Sequence, residues 1–137
     1  NDDYKERFDK LKSCFPEYIS YKGIVPPGES VDVLKNYYAL LFPTHYYTEG
    51  IPGTLIDALF AGVPVITAKW KNCGDIFEEN TTGWSYEFGK NEMLIRLVIG
   101  AVEHKDEFYS MKSKTLKYSE KFSVKNIISV IEHLLNN

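Results

Sequence analysis

Residues 39 to 68 read ALLFPTHYYTEGIPGTLIDALFAGVPVITA. The run Ala39 to Phe42 is continuously apolar and stops at Pro43, which predicts a short strand buried on both faces. A helix is predicted from Gly53 to Ala61, closed by Gly62 just past its last turn with Pro64 beyond. Val63 to Ala68 is a second apolar run and a second strand. Strand, helix and strand in close succession make a crossover unit, and such units build parallel sheets. Between the first strand and the helix lies Thr48-Glu49-Gly50-Ile51-Pro52-Gly53-Thr54. A loop of that composition needs a reason.

Outward from this unit the alternation continues. Asp3 to Cys14 carries Tyr4, Phe8 and Leu11 at helical spacing among charges. Tyr18 to Val25 is β-branched and aromatic, as a strand requires, and Pro26-Pro27-Gly28 ends it. Ser30 is placed to cap a short helix running through Val31, Leu34 and Tyr38. Gly74 to Glu79 reads as a helical turn and Gly83 to Phe88 as a strand. Asn91 to Val102, Lys105 to Lys117 and Val124 to Leu135 read as helices. The prediction is an α/β, Rossmann-like, three-layer domain: a parallel sheet with helices on both faces. Residues 1–137 form one such domain, without internal repeats. Because the chain opens on Asn1 and on a helix, it is expected to be a piece of a longer protein.

Sheets of this kind bind ligands at the carboxyl ends of their strands, where the loop from Thr44 to Gly53 lies. A helix start carries unpaired N–H groups and about half a positive charge, so it accepts phosphate without side-chain help. Gly50 and Gly53 let a ligand approach the backbone, Gly53 can also take positive φ, and Pro52 stiffens the turn. Glu49 cannot share the helix with Asp57, because Gly50, Pro52 and Gly53 intervene. Glu49 is therefore a loop carboxylate, and Asp57 lies one turn into the helix on the face of Thr54 and Ala61. A carboxylate accepts hydrogen bonds from neighbouring hydroxyls, as sugars offer them. Two acids flanking a diphosphate cradle suit a nucleotide sugar. Blander readings stand beside this one: Asp57 as a charge at a helix start and Glu49 as a solvated loop acid. His45, His104 and His133 show no partner pattern, and Trp70 and Trp84 are expected to be packing residues.

The stretch Glu49-Gly50-Ile51-Pro52-Gly53-Thr54-Leu55-Ile56-Asp57-Ala58-Leu59-Phe60-Ala61-Gly62-Val63-Pro64-Val65-Ile66 closely resembles the signature of retaining glycosyltransferases of family 4. That signature is Glu, seven residues, Glu, then Ala, a small residue and Gly, then Pro-Val-Ile. Tyr21-Lys22-Gly23-Ile24-Val25 is similar to the family's strand and turn at the nucleobase. Cys73-Gly74-Asp75-Ile76 through Thr82-Gly83 is similar to a later stretch of the family, and Phe122-Ser123 before a last helix is typical of it. Asp57 and Asp75 stand where the family usually has Glu.

The resemblance implies the carboxyl-terminal, donor-binding half of a GT-B enzyme that transfers a hexose from a nucleotide diphosphate sugar with retention. It implies no essential metal and no other cofactor. Glu49 would be the catalytic residue, near the donor hexose. Gly50, Ile51, Pro52, Gly53, Thr54 and Leu55 would line the sugar and diphosphate, with Asp57 at the ribose and Gly23, Ile24 and Val25 at the base. The first strand, the family's diphosphate-neutralising Arg and Lys, and the amino-terminal domain that receives a glycan or lipid-linked acceptor would all lie upstream. Surface polysaccharide or glycolipid synthesis is the expected setting, in the cytoplasm at the inner face of the cell membrane, with peripheral membrane contact. A nucleotide-sugar 2-epimerase domain and a non-catalytic nucleotide-binding module are the alternatives.

Composition narrows the classes. The 137 residues suffice for one core, at 44% hydrophobic and 26% charged residues. A net charge of -3 argues against nucleic acid as a partner. No apolar run approaches the length of a spanning helix. Cys14 and Cys73 have no metal-type spacing and cannot form a disulfide framework, which suits a reducing cytosol.

Overall fold

The computed structural model describes residues 2–26 and 28–136. Helix α1 (Asp2–Lys12) is followed by a long irregular segment and the short helix α2 (Ser30–Leu34). Strand β1 (Leu40–Phe42), helix α3 (Gly53–Phe60) and strand β2 (Val65–Lys69) form the expected crossover unit. A 3₁₀ turn (Cys73–Asp75) leads to strand β3 (Gly83–Glu87). Helices α4 (Glu92–Glu103) and α5 (Lys105–Ser119), a second 3₁₀ turn (Glu120–Phe122) and helix α6 (Val124–Leu135) complete the chain.

The sheet has the order β1-β2-β3 and is parallel throughout. Leu40, Leu41 and Phe42 pair with Val65, Ile66 and Thr67, and Val65 to Lys69 pair with Gly83 to Glu87. Side chains alternate across a strand, so β2 feeds two cores. Val65 joins Leu55 and Ala58 of α3 with Trp70, Cys73, Ile76 and Phe77 on one face. Ile66 joins Ala101 of α4 with Phe108 and Met111 of α5 on the other, where Trp84, Leu94 and Leu97 complete the layer. Helices therefore cover both faces of a Rossmann-like α/β sheet. Both tryptophans pack as expected: Trp70 is buried, and the Trp84 ring meets Phe108 edge-on at 4.9 Å.

The end of α3 follows its sequence closely. Gly62 takes φ +65°. Its N–H donates to Leu59 O at 3.0 Å, and the N–H of Val63 donates to Ala58 O at 2.8 Å. These two hydrogen bonds satisfy carbonyls at the end of the helix and turn the chain straight into β2. Gly83 answers a different constraint. A Cβ there would lie 1.8 Å from Val65 O, so only glycine lets β3 lie this close to β2.

Four expectations are corrected. Tyr18 to Val25 is not a strand: it is irregular and exposed, with Ile24 92% accessible. Composition favours strand there, but a strand exists only where a neighbour takes its backbone hydrogen bonds, and none of the three described strands pairs with it. Strand β1 is an edge strand rather than one buried on both faces, and Leu41 is 47% exposed. Ser30 does not cap α2. Glu29 holds the cap position without a side-chain bond. The turn expected over Gly74 to Glu79 is shorter and begins earlier, because Ile76 and Phe77 are drawn into the core. Pro27, part of the expected strand stop, lies outside the described residues. Ser123 caps α6 by accepting the N–H of Asn126 at 3.3 Å. No helix among the described residues is long and apolar enough to cross a membrane.

Candidate functional site

In a parallel sheet all carboxyl ends share one edge, here marked by Phe42, Lys69 and Glu87. The loop after β1 is folded against that edge by its own polar groups. The Tyr46 N–H donates to Thr44 Oγ1 at 3.1 Å, and the Glu49 N–H donates to Tyr46 O at 3.2 Å. Tyr47 anchors the middle: its carbonyl accepts the Lys71 N–H at 2.9 Å, and its ring meets Phe88 at 5.2 Å. The loop thus hangs from the ends of all three strands.

Glu49 is half-buried, and its Oε2 accepts the Thr44 hydroxyl at 3.0 Å. It borders an open cleft of about 690 Å³ formed with Tyr4, Phe42, Pro43, Thr44, His45 and Tyr46. Tyr4 comes from α1, and nothing in its sequence context beyond an apolar helical position singles it out. Thr44, His45 and Tyr46 are close in sequence to Glu49, but their part in the cleft depends on how the loop folds back.

Helix α3 starts openly. Pro52 is its cap residue, in extended conformation, and no side chain closes the end. The N–H groups of Gly53 and Thr54 begin the helix, and those of Gly50 and Ile51 precede it; none has an acceptor among the described residues. Leu55 differs. Its N–H is taken by Pro52 O at 3.0 Å and its side chain is 1% exposed, so it serves the core. Gly50 and Gly53 have open space where a Cβ would stand, and neither takes positive φ. Their value lies in absent bulk, not in the conformational freedom expected of Gly53.

Asp57 lies on α3 and is half-buried. Its Oδ2 accepts the hydroxyl of Ser30 at 2.6 Å, a partner that sequence spacing gave no reason to expect. Asp75 is exposed on the first 3₁₀ turn. Gly23 takes φ +79°, and Gly23, Ile24 and Val25 lie in the exposed segment before α2, with no described contact to the Glu49 loop. The structure therefore gathers Glu49 and the open start of α3 at one edge, with Asp57 a turn further along. Among the described residues no group of three or more His, Cys, Asp or Glu is placed to hold a metal ion.

The model of one protein family, described as glycosyl transferases group 1, matches residues 3–122. The chain belongs to the group 1 glycosyl transferases. As a member it is a transferase of glycosyl groups, acting with a nucleotide-sugar donor and an acceptor. No curated protein matches it. The match runs from α1 to the second 3₁₀ turn and so takes in both flanks of the sheet and the whole Glu49 loop. Membership in the glycosyl transferases speaks for transfer rather than epimerisation.

Proposed function

We propose that this chain is the donor-binding, carboxyl-terminal half of a retaining GT-B glycosyltransferase of family 4, and that residues 1–137 form that single domain. The observation that carries the reading is the placement of Glu49. It stands at the lip of a cleft on the carboxyl edge of β1, oriented by Thr44, beside a helix start with no cap.

In this reading the free amides of Gly50, Ile51, Gly53 and Thr54 receive the diphosphate and sugar hydroxyls of the donor. A helix start favours negative charge and costs no reorganisation when it binds. Glu49 faces the hexose and stabilises positive charge as the bond to the leaving phosphate breaks. Asp57 accepts a ribose hydroxyl, and Gly23, Ile24 and Val25 meet the base. The donor is a nucleotide diphosphate sugar, and no metal is required. The acceptor, a glycan or lipid-linked sugar of surface polysaccharide synthesis, is held by an amino-terminal domain at the inner face of the cell membrane.

The test is a thermal-shift panel of UDP-, GDP- and ADP-sugars on the intact protein, followed by transfer to a glycan acceptor. One donor should raise the melting temperature, and the product should keep the donor's anomeric configuration by NMR. An inverted product removes the family 4 assignment. Conversion of the donor sugar without acceptor points to epimerisation instead.

A further inference from the structure

Ser30 is the first residue of α2, and its hydroxyl is not used by its own helix. It reaches across to α3 and donates to Asp57 Oδ2 at 2.6 Å. A hydroxyl has one proton to give, so this donor is fully committed. Both residues are half-buried, and α2 is seated by Leu34, which packs against the same core cluster as Leu55 and Ala58. Packing of Leu34 therefore fixes where α2 stands against α3, and with it the reach of Ser30 to Asp57. Asp57 Oδ1 has no partner among the described residues.

We propose that Ser30 is a positioning residue for the nucleotide ribose: its hydroxyl pins one oxygen of the Asp57 carboxylate and leaves the other aimed at the sugar diol. The proposal rests on the donor-site reading above and deepens it. An aspartate has one torsion fewer than a glutamate between backbone and carboxylate, so it cannot search for its ligand. It must be pointed. A hydrogen bond to one oxygen fixes the carboxylate plane, and the second oxygen keeps its full capacity to accept. Fixing this geometry before the ligand arrives removes an ordering cost from binding.

A bond that merely ties α2 to α3 would affect melting but not ligand choice. The experiment therefore reads selectivity. Uridine, guanosine and adenosine diphosphates are titrated into the intact protein, and the tightest is compared with its 2′,3′-dideoxy counterpart. The unaltered protein should prefer the ribose form by about tenfold, the size of one charge-assisted hydrogen bond. In Ser30→Ala the preference should shrink to about twofold, with the dideoxy affinity nearly unchanged. Ser30→Thr keeps the hydroxyl and should restore the preference. Ser30→Ala with undiminished selectivity overturns the positioning role and leaves the bond a helix tie. An unaltered protein that binds both forms equally overturns the ribose role of Asp57 itself.

Discussion

Thr44 and Glu49 are joined by a hydrogen bond from the threonine hydroxyl to the carboxylate at 3.0 Å, across the turn that follows β1. The same hydroxyl oxygen accepts the N–H of Tyr46 at 3.1 Å, so the carboxylate is oriented through a group that is itself held by backbone. The orientation is thus set within the loop itself, and neither bond spans elements of the core.

Substitution should separate site from fold. Glu49→Gln in the intact enzyme should reduce turnover on the order of 100-fold, as for a lost transition-state contact. Its melting temperature should stay within about 2 °C, because Glu49 ties no element to another. Thr44→Val should lower turnover by a smaller factor, roughly tenfold, through loss of orientation. Steady-state kinetics beside a melting curve checks both. Near-normal turnover in Glu49→Gln would remove that residue from the chemistry.

Asp57 ties α3 to α2 through Ser30 and is the proposed ribose ligand, and its substitution should separate the two roles. Asp57→Asn keeps size and removes charge. The bond from Ser30 loses its charge assistance, so melting temperature should fall by a few degrees. If the other oxygen serves the ribose, the donor dissociation constant should rise about tenfold as well. Calorimetric titration with the donor decides: a lower melting temperature with unchanged affinity would reduce Asp57 to a link between α2 and α3.

Donor affinity of the 137-residue chain by itself should be weak. Among the described residues that line the Glu49 cleft there is no Lys or Arg, and the start of α3 offers amides rather than a cationic side chain. Charge-assisted phosphate contacts are about twice as strong as neutral ones. A dissociation constant no better than roughly 1 mM, about -4 kcal/mol, is expected. NMR titration with UDP-, GDP- and ADP-sugars measures it, and micromolar binding would show that the chain has a cationic contact elsewhere.

The approach of β3 to β2 should be intolerant of any side chain at position 83. Gly83→Ala forces a Cβ into Val65 O at 1.8 Å, with φ at +147°. The strands must part, at a cost on the order of 4 kcal/mol, or roughly 10 °C or more of melting temperature. Gly89→Ala is the control. It also has positive φ, at +83°, but opens on empty space, and should cost about 1 kcal/mol. Equal melting temperatures for the two variants would contradict the strand spacing.

The two cysteines should differ sharply in reactivity. Cys14 is exposed, whereas burial pushes the Cys73 thiol from 9.0 up to about 11. At neutral pH Cys73 is a protonated, covered thiol, so a disulfide reagent should label Cys14 first and Cys73 only as the protein opens. The same shift has a sign for stability. The folded state disfavours the thiolate, so the contribution is fully present below about 9 and is lost as pH rises toward 11. Comparing denaturation of the parent and Cys73→Ala from pH 8 to 11 should show an extra alkaline loss in the parent, up to roughly 2 kcal/mol. Parallel curves would mean that the thiol is not held in its neutral form.

Much was legible in the sequence because it rests on local chemistry. Apolar runs, Gly62 at positive φ and the glycines and proline before α3 fixed a strand–helix–strand unit and the edge where its loop lies. The spacing from Glu49 to Asp57 put one acid on a loop and the other on a helix, and both landed there. Residues 124–135 were legible as a helix from their periodicity and from Ser123. What failed were expectations that needed a partner. Tyr18 to Val25 has strand composition but no neighbouring strand, and Leu41 is apolar yet lies on an edge. Propensity describes one segment, while a sheet is a relation between segments.

By itself, then, the sequence determined the fold class, the crossover unit and the candidate acids, since these follow from backbone preference and side-chain periodicity within a few turns of chain. Only the tertiary structure decided which hydroxyl each acid receives. Thr44 found Glu49 because the loop after β1 folds back on itself. Ser30 left its own helix end and found Asp57 across 27 residues because α2 packs on α3. Tyr4 reached the cleft because α1 lies beside it. Hydrogen bonds are short and directional, so their partners are set by packing to within a fraction of an ångström, and packing is a property of the whole chain.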